Sequence, residues 1–282
     1  MQTNLAYPGF CWGFISVTML MASVFIINQF TDTQSDRANN KLFILADGLV
    51  SQRAATFEIF TLLILALIFA LLSSATLIVL SVMLFLVTGV GYSLPPFLWK
   101  DRPILGLFVN LVGGLLTFLI GWQIVSELSS AAFGSAIPYL FAVGAVYSLT
   151  TIPDRAGDAL VGKLTFAVKF GERITIRAAL LFEVACIIAA LYLRDYLILI
   201  PALGVLPFFI MLLFRDDISR IILAARLAIL LLSISVVIHF PAYAILMLAV
   251  FLLSKWYYRK RFQLNYPGLS PVSERIYDQN QR

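Results

Sequence analysis

Two pairs of acidic side chains with the same spacing are the residues of this sequence best suited to chemistry. Asp32 and Asp36 are four residues apart, and so are Asp154 and Asp158. Because four residues are about one helical turn, each pair would lie on one face of a continuing helix. Each pair also follows a long apolar run, where ionisable groups are costly unless they face a cavity, a partner or an ion. The spacing therefore predicts a polar site.

Carboxylates in this arrangement suit a hard divalent cation. Mg²⁺ is usually held by one or two carboxylates together with the phosphates of a substrate. Four carboxylates without a cation would repel one another and raise each other's pKa values, and a metal-bridged phosphate ligand would remove that repulsion. Asn28 lies four residues before Asp32 and could add a neutral oxygen ligand. With only two cysteines and one histidine, the chain has no His/Cys metal motif.

Basic side chains lie near the acids in sequence and could bind phosphate oxygens. They are Lys100, Arg102, Arg155 and Lys163. The other interpretation is that the acids are ordinary loop residues near the membrane–water interface. A single pair would fit that interpretation as well as a site, whereas two pairs with the same spacing favour a site. The spacing alone thus predicts a membrane protein that handles phosphate.

The elements that position these side chains are predicted to be membrane-spanning helices. The chain has 282 residues, of which 61% are hydrophobic and 12% charged, and its mean hydropathy is +0.95. A soluble domain carries roughly 25% charged residues, so the composition excludes a water-soluble globule. The apolar runs are continuous and do not alternate, which excludes a transmembrane β-barrel. We predict an all-α polytopic membrane protein with a single membrane-embedded domain over residues 1–282.

Nine apolar runs predict a bundle of about nine transmembrane helices. The runs are 9–30, 54–73, 75–93, 104–126, 135–152, 176–194, 196–214, 222–239 and 241–257. The second and third runs are divided only by Ser73 and Ser74. That division fits either a helical hairpin or one broken segment.

Lysine and arginine predict the orientation of the bundle. With these nine runs as spans, all 20 lysines and arginines except Arg194 lie on one side of the membrane. Basic residues accumulate in cytoplasmic loops. We therefore expect the N-terminus outside, the C-terminus inside, and both acidic stretches in loops at the cytoplasmic face. Acids and bases would then converge at one end of the helical bundle.

Three motifs in order along the chain resemble those of the UbiA superfamily of intramembrane prenyltransferases. The first Asp-rich motif of that family is similar to Asn28-x-x-x-Asp32-x-x-x-Asp36 with Arg37-Ala38-Asn39. The second motif and its trailing segment are similar to Asp154-x-x-x-Asp158 with Gly157, Gly162-Lys163, Thr165 and Lys169-Phe170-Gly171. The element between them resembles Tyr92-Ser93-Leu94-Pro95-Pro96 with Lys100 and Gly106. Together they cover most of residues 20–175.

This resemblance implies a bundle around a central cavity that is open to the cytoplasmic side. It also implies transfer of a polyprenyl group from a prenyl diphosphate to an apolar, aromatic acceptor. It implies Mg²⁺ as cofactor, with Asp32, Asp36, Asp154 and Asp158 as the catalytic and metal-binding carboxylates and Asn28 as a further ligand. The implied diphosphate-binding residues are Asn28, Tyr92, Lys100, Arg102, Arg155 and Lys163. The expected partners are a prenyl diphosphate, a lipophilic acceptor and the lipid bilayer, with no nucleic acid.

Three positions depart from the family pattern and mark the chain as a divergent member. Gln29, Thr33 and Thr151 stand where relatives usually carry Asp, Arg and Asp. The first motif ends the first apolar run and not the second, so we expect the leading family helix to be missing. Two alternatives stay open: a non-catalytic lipid-binding relative, or an ion-coupled transporter, since acids in a helical bundle can also relay cations.

Overall fold

The computed structural model describes residues 8–39, 44–45, 48–215 and 217–266. Within these ranges every regular element is helical and none is a strand. The α-helices are α1 (Pro8–Thr31), α2 (Thr33–Ala38), α3 (Gln52–Ser73), α4 (Ala75–Leu84), α5 (Pro103–Val125), α6 (Ser130–Thr150), α7 (Arg155–Leu160), α8 (Phe166–Phe170), α9 (Glu172–Leu193), α10 (Tyr196–Met211), α11 (Ile218–His239) and α12 (Ala242–Phe262). A π-helix, Phe85–Gly91, extends α4, and a 3₁₀ turn, Trp99–Asp101, precedes α5. The predicted all-α fold is confirmed.

Six of these helices are long and apolar enough to cross a bilayer, namely α1, α3, α5, α6, α9 and α11. The apolar helices at 75–91 and 196–211 are shorter, and α12 is not among the six. Each of the nine predicted spans coincides with a helix in the described residues, whereas the number that cross the membrane stays a prediction. α3 and α4 are separate helices, because Ser74 adopts an extended conformation between them and caps α4.

Small residues allow the helices of the bundle to pack closely, as is common in membranes. Ala66 of α3 is fully buried, and its carbonyl accepts a hydrogen bond from the hydroxyl of Ser16 in α1 at 2.8 Å. Gly144 of α6 lies against the ring of Phe182 in α9, where an added Cβ would come within 2.9 Å of that ring. These close approaches make α1–α3 and α6–α9 the most extensively packed helix pairs.

Two apolar clusters divide the bundle into halves that meet at α5 and α6. One cluster contains residues of α1, α3, α4, α5 and the first turn of α6, including Leu20, Leu77 and Leu116. The other contains residues of α6, α9, α10 and α11, including Leu149 and Val205. Since α5 packs against α6, the two halves form one bundle.

The short helices lie where the long helices of both halves end. α2 follows directly on α1, α7 comes after α6, and α2 packs against α7. α8 contacts α5, α7 and α9, so it lies at the same end. The two acidic motifs, which are far apart in sequence, are therefore brought together at one end of the bundle.

Candidate functional site

The two acid pairs line a single polar cavity of about 330 Å³. Eight of the predicted site residues are in its wall, drawn from both motifs and from the segment between them: Asn28, Asp32, Asp36, Tyr92, Lys100, Asp154, Asp158 and Lys163. The wall also contains Gln29, Ser35, Asp101, Asn110, Tyr147, Thr150, Thr151 and Thr165. The juxtaposition that the spacing predicted is thus present in the structure.

Each acid pair keeps its helical spacing even though Asp32 lies at the break between α1 and α2. The backbone N–H of Asp36 donates to the carbonyl of Asp32 at 2.9 Å. In the second motif, the N–H of Asp158 donates to the carbonyl of Asp154, also at 2.9 Å. One helical turn therefore separates the carboxylates of each pair, as expected. Asp36 and Asp158 are buried, with 6% and 7% of their surface exposed.

A direct contact between Asn39 and Gly157 holds the two motifs against each other. The side-chain oxygen of Asn39 accepts a hydrogen bond from the backbone N–H of Gly157 at 3.1 Å. A Cβ on Gly157 would lie 2.3 Å from that oxygen, so only glycine allows this approach. The glycine is needed here for space, because the Asn39 amide occupies the position where a side chain would begin.

Two lysines converge on one carboxylate at the centre of the site. The ammonium groups of Lys100 and Lys163 both bind the Asp32 carboxylate, the first at 2.7 Å. Lys100 also donates to the hydroxyl of Thr31 at 2.7 Å, and Lys163 donates to the hydroxyl of Ser35 at 2.7 Å. Without a ligand, the positive charge of the site is thus gathered around the first motif.

Burial and neighbouring charges shift the pKa values of these groups in different directions. Burial lowers the pKa of Lys100, although Asp32 partly opposes the shift. Burial also disfavours charge on Lys163, but the carboxylates of Asp32, Asp158 and Asp101 together raise its pKa above the usual value. The pKa of Asp101 is raised because its carboxyl is desolvated, despite the two nearby lysines. Lys163 is therefore the more firmly charged of the two lysines.

The donor set fits a divalent cation that is shared with a phosphate ligand. Within the described part of the chain, no three His, Cys, Asp or Glu side chains lie close enough together to hold a metal ion by themselves. The cavity nevertheless contains oxygen donors from both motifs, and Oδ1 of Asp101 is buried in the structure without a hydrogen-bond partner. Mg²⁺ commonly takes one or two carboxylates and completes its shell with water and phosphate oxygens. These residues match that mode of binding.

The structure does not bring Arg102 and Arg155 to this cavity. Both side chains are exposed, and neither is among the lining residues. Arg102 precedes α5 and Arg155 begins α7, so each lies at a helix start at the rim of this end of the bundle. Their assignment to a diphosphate stays a prediction that the geometry does not support.

The sequence did not lead us to predict several of the residues that line the polar cavity, although the positions of two of them could have indicated it. Asn110 and Tyr147 are polar residues within apolar helices α5 and α6, where polar side chains commonly mark a functional cavity. Asp101 follows Lys100 directly, but its burial depends on the 3₁₀ turn, which the sequence does not specify. Ser35 carried no signal beyond its place in the first motif.

A second cavity of about 390 Å³ adjoins the polar one and is mainly apolar. Three residues line both cavities and form the boundary between them: Asn110, Tyr147 and Thr150. The remaining wall comes from α6, α9, α10 and α11, and it includes one carboxyl group, that of Glu183. A ligand with a charged head and an apolar body could therefore extend from one cavity into the other.

Tight packing around glycines shapes the wall between the cavities. A Cβ on Gly106 would lie 2.9 Å from the hydroxyl of Tyr147, and one on Gly91 would lie 2.2 Å from the ring of Trp99. Gly91 ends the π-helix that precedes Tyr92, and such segments are frequent at functional sites. Because Gly106 and Gly91 have no side chains, Tyr147 and Trp99 can pack directly against these positions.

Comparison with known proteins identifies relatives over most of this chain. The model of the UbiA prenyltransferase family matches residues 2–217. The chain is 31% identical over 169 residues to 2-acyl-4-prenylphloroglucinol 6-prenyltransferase, chloroplastic, from Humulus lupulus, covering 56% of this chain and 41% of that protein. It is 30% identical over 155 residues to 2-acylphloroglucinol 4-prenyltransferase, chloroplastic, from the same organism, and that match covers 52% of this chain and 38% of the relative. The matched region thus spans about two fifths of the length of these curated relatives.

Solved structures share the fold. A UbiA homolog from Archaeoglobus fulgidus bound to DMAPP and Mg²⁺ superimposes with a TM-score of 0.62 at 20% identity, covering 83% of this chain and 90% of that one. The same homolog bound to GPP and Mg²⁺ also gives a TM-score of 0.62 at 20% identity, with coverage of 83% and 88%. At this identity the likeness establishes the architecture of the bundle.

Proposed function

The chain belongs to the UbiA prenyltransferase family, and we propose that it transfers a prenyl group from a prenyl diphosphate to a lipophilic, aromatic acceptor within the membrane. The observation that carries this proposal is the polar cavity lined by both carboxylate pairs, which shares three lining residues with an apolar cavity. The polar cavity suits a diphosphate and the apolar cavity suits hydrocarbon. The six helices that can span a bilayer agree with a multi-pass membrane protein.

In this proposal the diphosphate lies between the two motifs with Mg²⁺. Asp32 and Asp36 from the first motif and Asp154 and Asp158 from the second would hold Mg²⁺, and Asn28 would add a neutral oxygen ligand. When bound, Mg²⁺ would neutralise the negative charge that develops on the leaving diphosphate. The solved relatives named with DMAPP or GPP and Mg²⁺ support this choice of donor and metal.

The polar side chains of the wall bind and orient the diphosphate. Lys163 is placed to exchange its contact with Asp32 for a diphosphate oxygen, because a charge-assisted bond to phosphate would replace the one it gives up. Lys100 contacts the same Asp32 carboxylate and can do the same, and Tyr92 offers a hydroxyl near the boundary of the two cavities. Arg102 and Arg155 lie outside the cavity and are left out of this assignment.

In the transfer itself, the bond between C1 of the prenyl group and the diphosphate oxygen breaks, and the electron pair leaves with the diphosphate. The allylic cation that remains is stabilised by aromatic faces in a cavity that excludes water. A ring carbon of the acceptor supplies the electron pair for the new bond to C1. The ring proton passes to the released diphosphate, which restores the aromatic ring.

The acceptor in this proposal is an aromatic compound with ring hydroxyls. The curated relatives are named for acylphloroglucinol acceptors, which are compounds of that kind. The apolar cavity, at about 390 Å³, is in the range of ligand-binding pockets. The distribution of lysine and arginine supports placing this end of the bundle and the C-terminus at the cytoplasmic face.

The experiment is to supply the purified full-length protein with GPP, an acylphloroglucinol and Mg²⁺, and to identify products by mass spectrometry. We expect a prenylated acceptor and released diphosphate with Mg²⁺, and neither product with EDTA. Binding of GPP without product would identify the non-catalytic lipid-binding relative. Cation flux through proteoliposomes that depends on Asp36 or Asp158 would identify the transporter. Either result would contradict the proposal.

A further inference from the structure

Glu183 is a carboxyl group in the middle of a membrane-spanning helix, eleven residues after the first residue of α9. Only 3% of its surface is exposed, and it lines the apolar cavity. Ionisable side chains in transmembrane helices are costly and usually face a cavity that they serve. The diphosphate site described above does not use this residue.

The carboxyl of Glu183 has no hydrogen-bond or ion-pair partner among the residues that the structure describes. The other polar side chains of the cavity wall each have a contact already. The hydroxyl of Tyr139 donates to Asp195 at 2.9 Å, and the hydroxyl of Thr150 donates to the carbonyl of Tyr147 at 2.9 Å. A buried polar group without a partner destabilises a protein, so its presence in a cavity points to a ligand.

The remaining polar groups of the wall are also paired. The amide nitrogen of Asn110 donates to the carbonyl of Gly106 at 2.8 Å, and the hydroxyls of Tyr147 and Tyr92 lie within hydrogen-bond reach of each other. Glu183 is therefore the polar side chain of this wall, within the described ranges, that makes no hydrogen bond at all.

The position of Glu183 along the bundle suits a group that binds the acceptor. Cys186, one turn further along α9, lies beside the backbone of Ala142 in α6. Glu183 lies one turn before Cys186 on α9, on the side toward the polar cavity. It is therefore near the level of Val146 in α6, which is about 6 Å along the helix axis from Thr150. Because Thr150 lines both cavities, a ring held by Glu183 would lie next to the point where a prenyl chain leaves the diphosphate site.

We infer that Glu183 is a specificity-determining residue whose carboxyl binds a ring hydroxyl of the aromatic acceptor in the apolar cavity. This inference rests on the proposed prenyl transfer. The carboxyl accepts a hydrogen bond from the hydroxyl and so fixes which ring carbon faces C1 of the prenyl group. Without it, the apolar wall would hold the ring by contact area alone and would not distinguish a hydroxyl from a methoxy group.

The test is a cycle that combines protein variants with acceptor analogues. The acceptors are an acylphloroglucinol and its two mono-O-methylated forms, methylated ortho or para to the acyl group, each used with GPP and Mg²⁺. The wild-type protein should use at least one methylated form about tenfold less efficiently, as expected when a buried carboxyl is left without a hydrogen-bond partner. Glu183→Leu should erase that discrimination, and Glu183→Gln should retain part of it because its amide oxygen still accepts a hydrogen bond.

Three further measurements separate this role from a structural one. The KM for GPP should change less than the KM for the acceptor in Glu183→Leu, because the contacts to the diphosphate lie in the polar cavity. The melting temperature should be equal or higher, because the variant removes a buried carboxyl that has no partner. Glu58→Leu, the same change at an exposed position of α3, should leave the discrimination as in the wild type.

Two results would overturn the inference, and they differ from failure of the proposed function. If the wild-type protein makes product and Glu183→Leu keeps the full discrimination, Glu183 does not bind the acceptor hydroxyl. If Glu183→Leu lowers the melting temperature and the KM for GPP rises with it, the residue is structural. If the wild-type protein forms no product and GPP and Mg²⁺ do not stabilise it thermally, both the proposed function and this inference are wrong.

Discussion

The side-chain oxygen of Asn39 and the backbone N–H of Gly157 form a 3.1 Å hydrogen bond that joins the two acidic motifs. The residues are 118 positions apart in sequence, yet each lies within three residues of a buried aspartate of its own motif, Asp36 or Asp158. The separation between the two carboxylate pairs therefore depends on this contact. A diphosphate bridged across the cavity would be sensitive to any change in it.

Replacing Gly157 with alanine should weaken the site more than it weakens the fold. The added Cβ would lie 2.3 Å from the Asn39 side-chain oxygen, so the Asn39 side chain would have to leave its position against Gly157 or α2 would have to shift. We expect the free energy of unfolding to fall by about 1–3 kcal/mol, as is typical of overpacking. The proportional loss of kcat/KM for the prenyl diphosphate should be larger than the proportional loss of stability. Chemical denaturation and steady-state kinetics measure the two effects.

Gly121→Ala is the matched control for this glycine. Gly121 lies within α5, and a Cβ there would meet no atom within 4 Å. Alanine should be neutral or slightly stabilising at that position. If Gly157→Ala behaves like the control in both measurements, the Asn39 contact does not set the geometry of the site.

Replacing Lys163 with methionine should raise the KM for the prenyl diphosphate about tenfold to a hundredfold, as for loss of a hydrogen bond to a charged group. Lys163 lines the cavity, contacts Asp32 and has a raised pKa, so it is charged when the substrate binds. The matched control is Arg102→Met, which removes an exposed basic side chain from outside the cavity wall. Its KM should stay within twofold of the wild-type value, roughly the level of a screened surface charge. Equal effects of the two substitutions would place Arg102 at the diphosphate after all.

Asp101→Asn should stabilise the metal-free protein at neutral pH. The pKa of Asp101 is raised above the usual value of 3.8 because burial disfavours the charged carboxylate. The folded state then binds more protons than the unfolded state as the pH rises from 3.8 through the raised pKa, so folding stability declines over that window. The asparagine variant lacks this decline. Without metal, the melting temperatures of the wild-type protein and Asp101→Asn should be equal below this pH window, and that of the variant should be higher above it. Equal melting temperatures at every pH would contradict the burial of this carboxyl.

The sequence predicted the helical membrane class and the two acid pairs because both depend on local patterns. Long apolar runs specify spanning helices, and i, i+4 spacing specifies one face of a helix, whatever the rest of the chain does. Lys100 and Lys163, two of the four basic residues predicted to lie near the acids, contact Asp32 in the structure, and their binding to diphosphate stays a prediction. In each case the signal lies within a short stretch.

What the sequence could not predict depends on contacts between distant segments. Arg102 and Arg155 looked equivalent to the two lysines, but their helices begin in orientations that leave them exposed. The hydrogen bond from Gly157 to Asn39 cannot be read from either motif alone. Glu183 stood in an apolar run, and only the packing of α9 against α6 shows that it lines a cavity.

The central claim is that the two carboxylate pairs form one Mg²⁺–diphosphate site, and the most direct measurement is thermal stabilisation by GPP and Mg²⁺. A ligand at a hundred times its Kd stabilises the folded state by about 2.7 kcal/mol. We predict that the wild-type protein is stabilised only when GPP and Mg²⁺ are both present. Asp32→Asn and Asp158→Asn should each abolish the effect, whereas Asp217→Asn, at an exposed helix cap, should retain it. Stabilisation that survives either of the first two substitutions would show that the pairs do not act as one site.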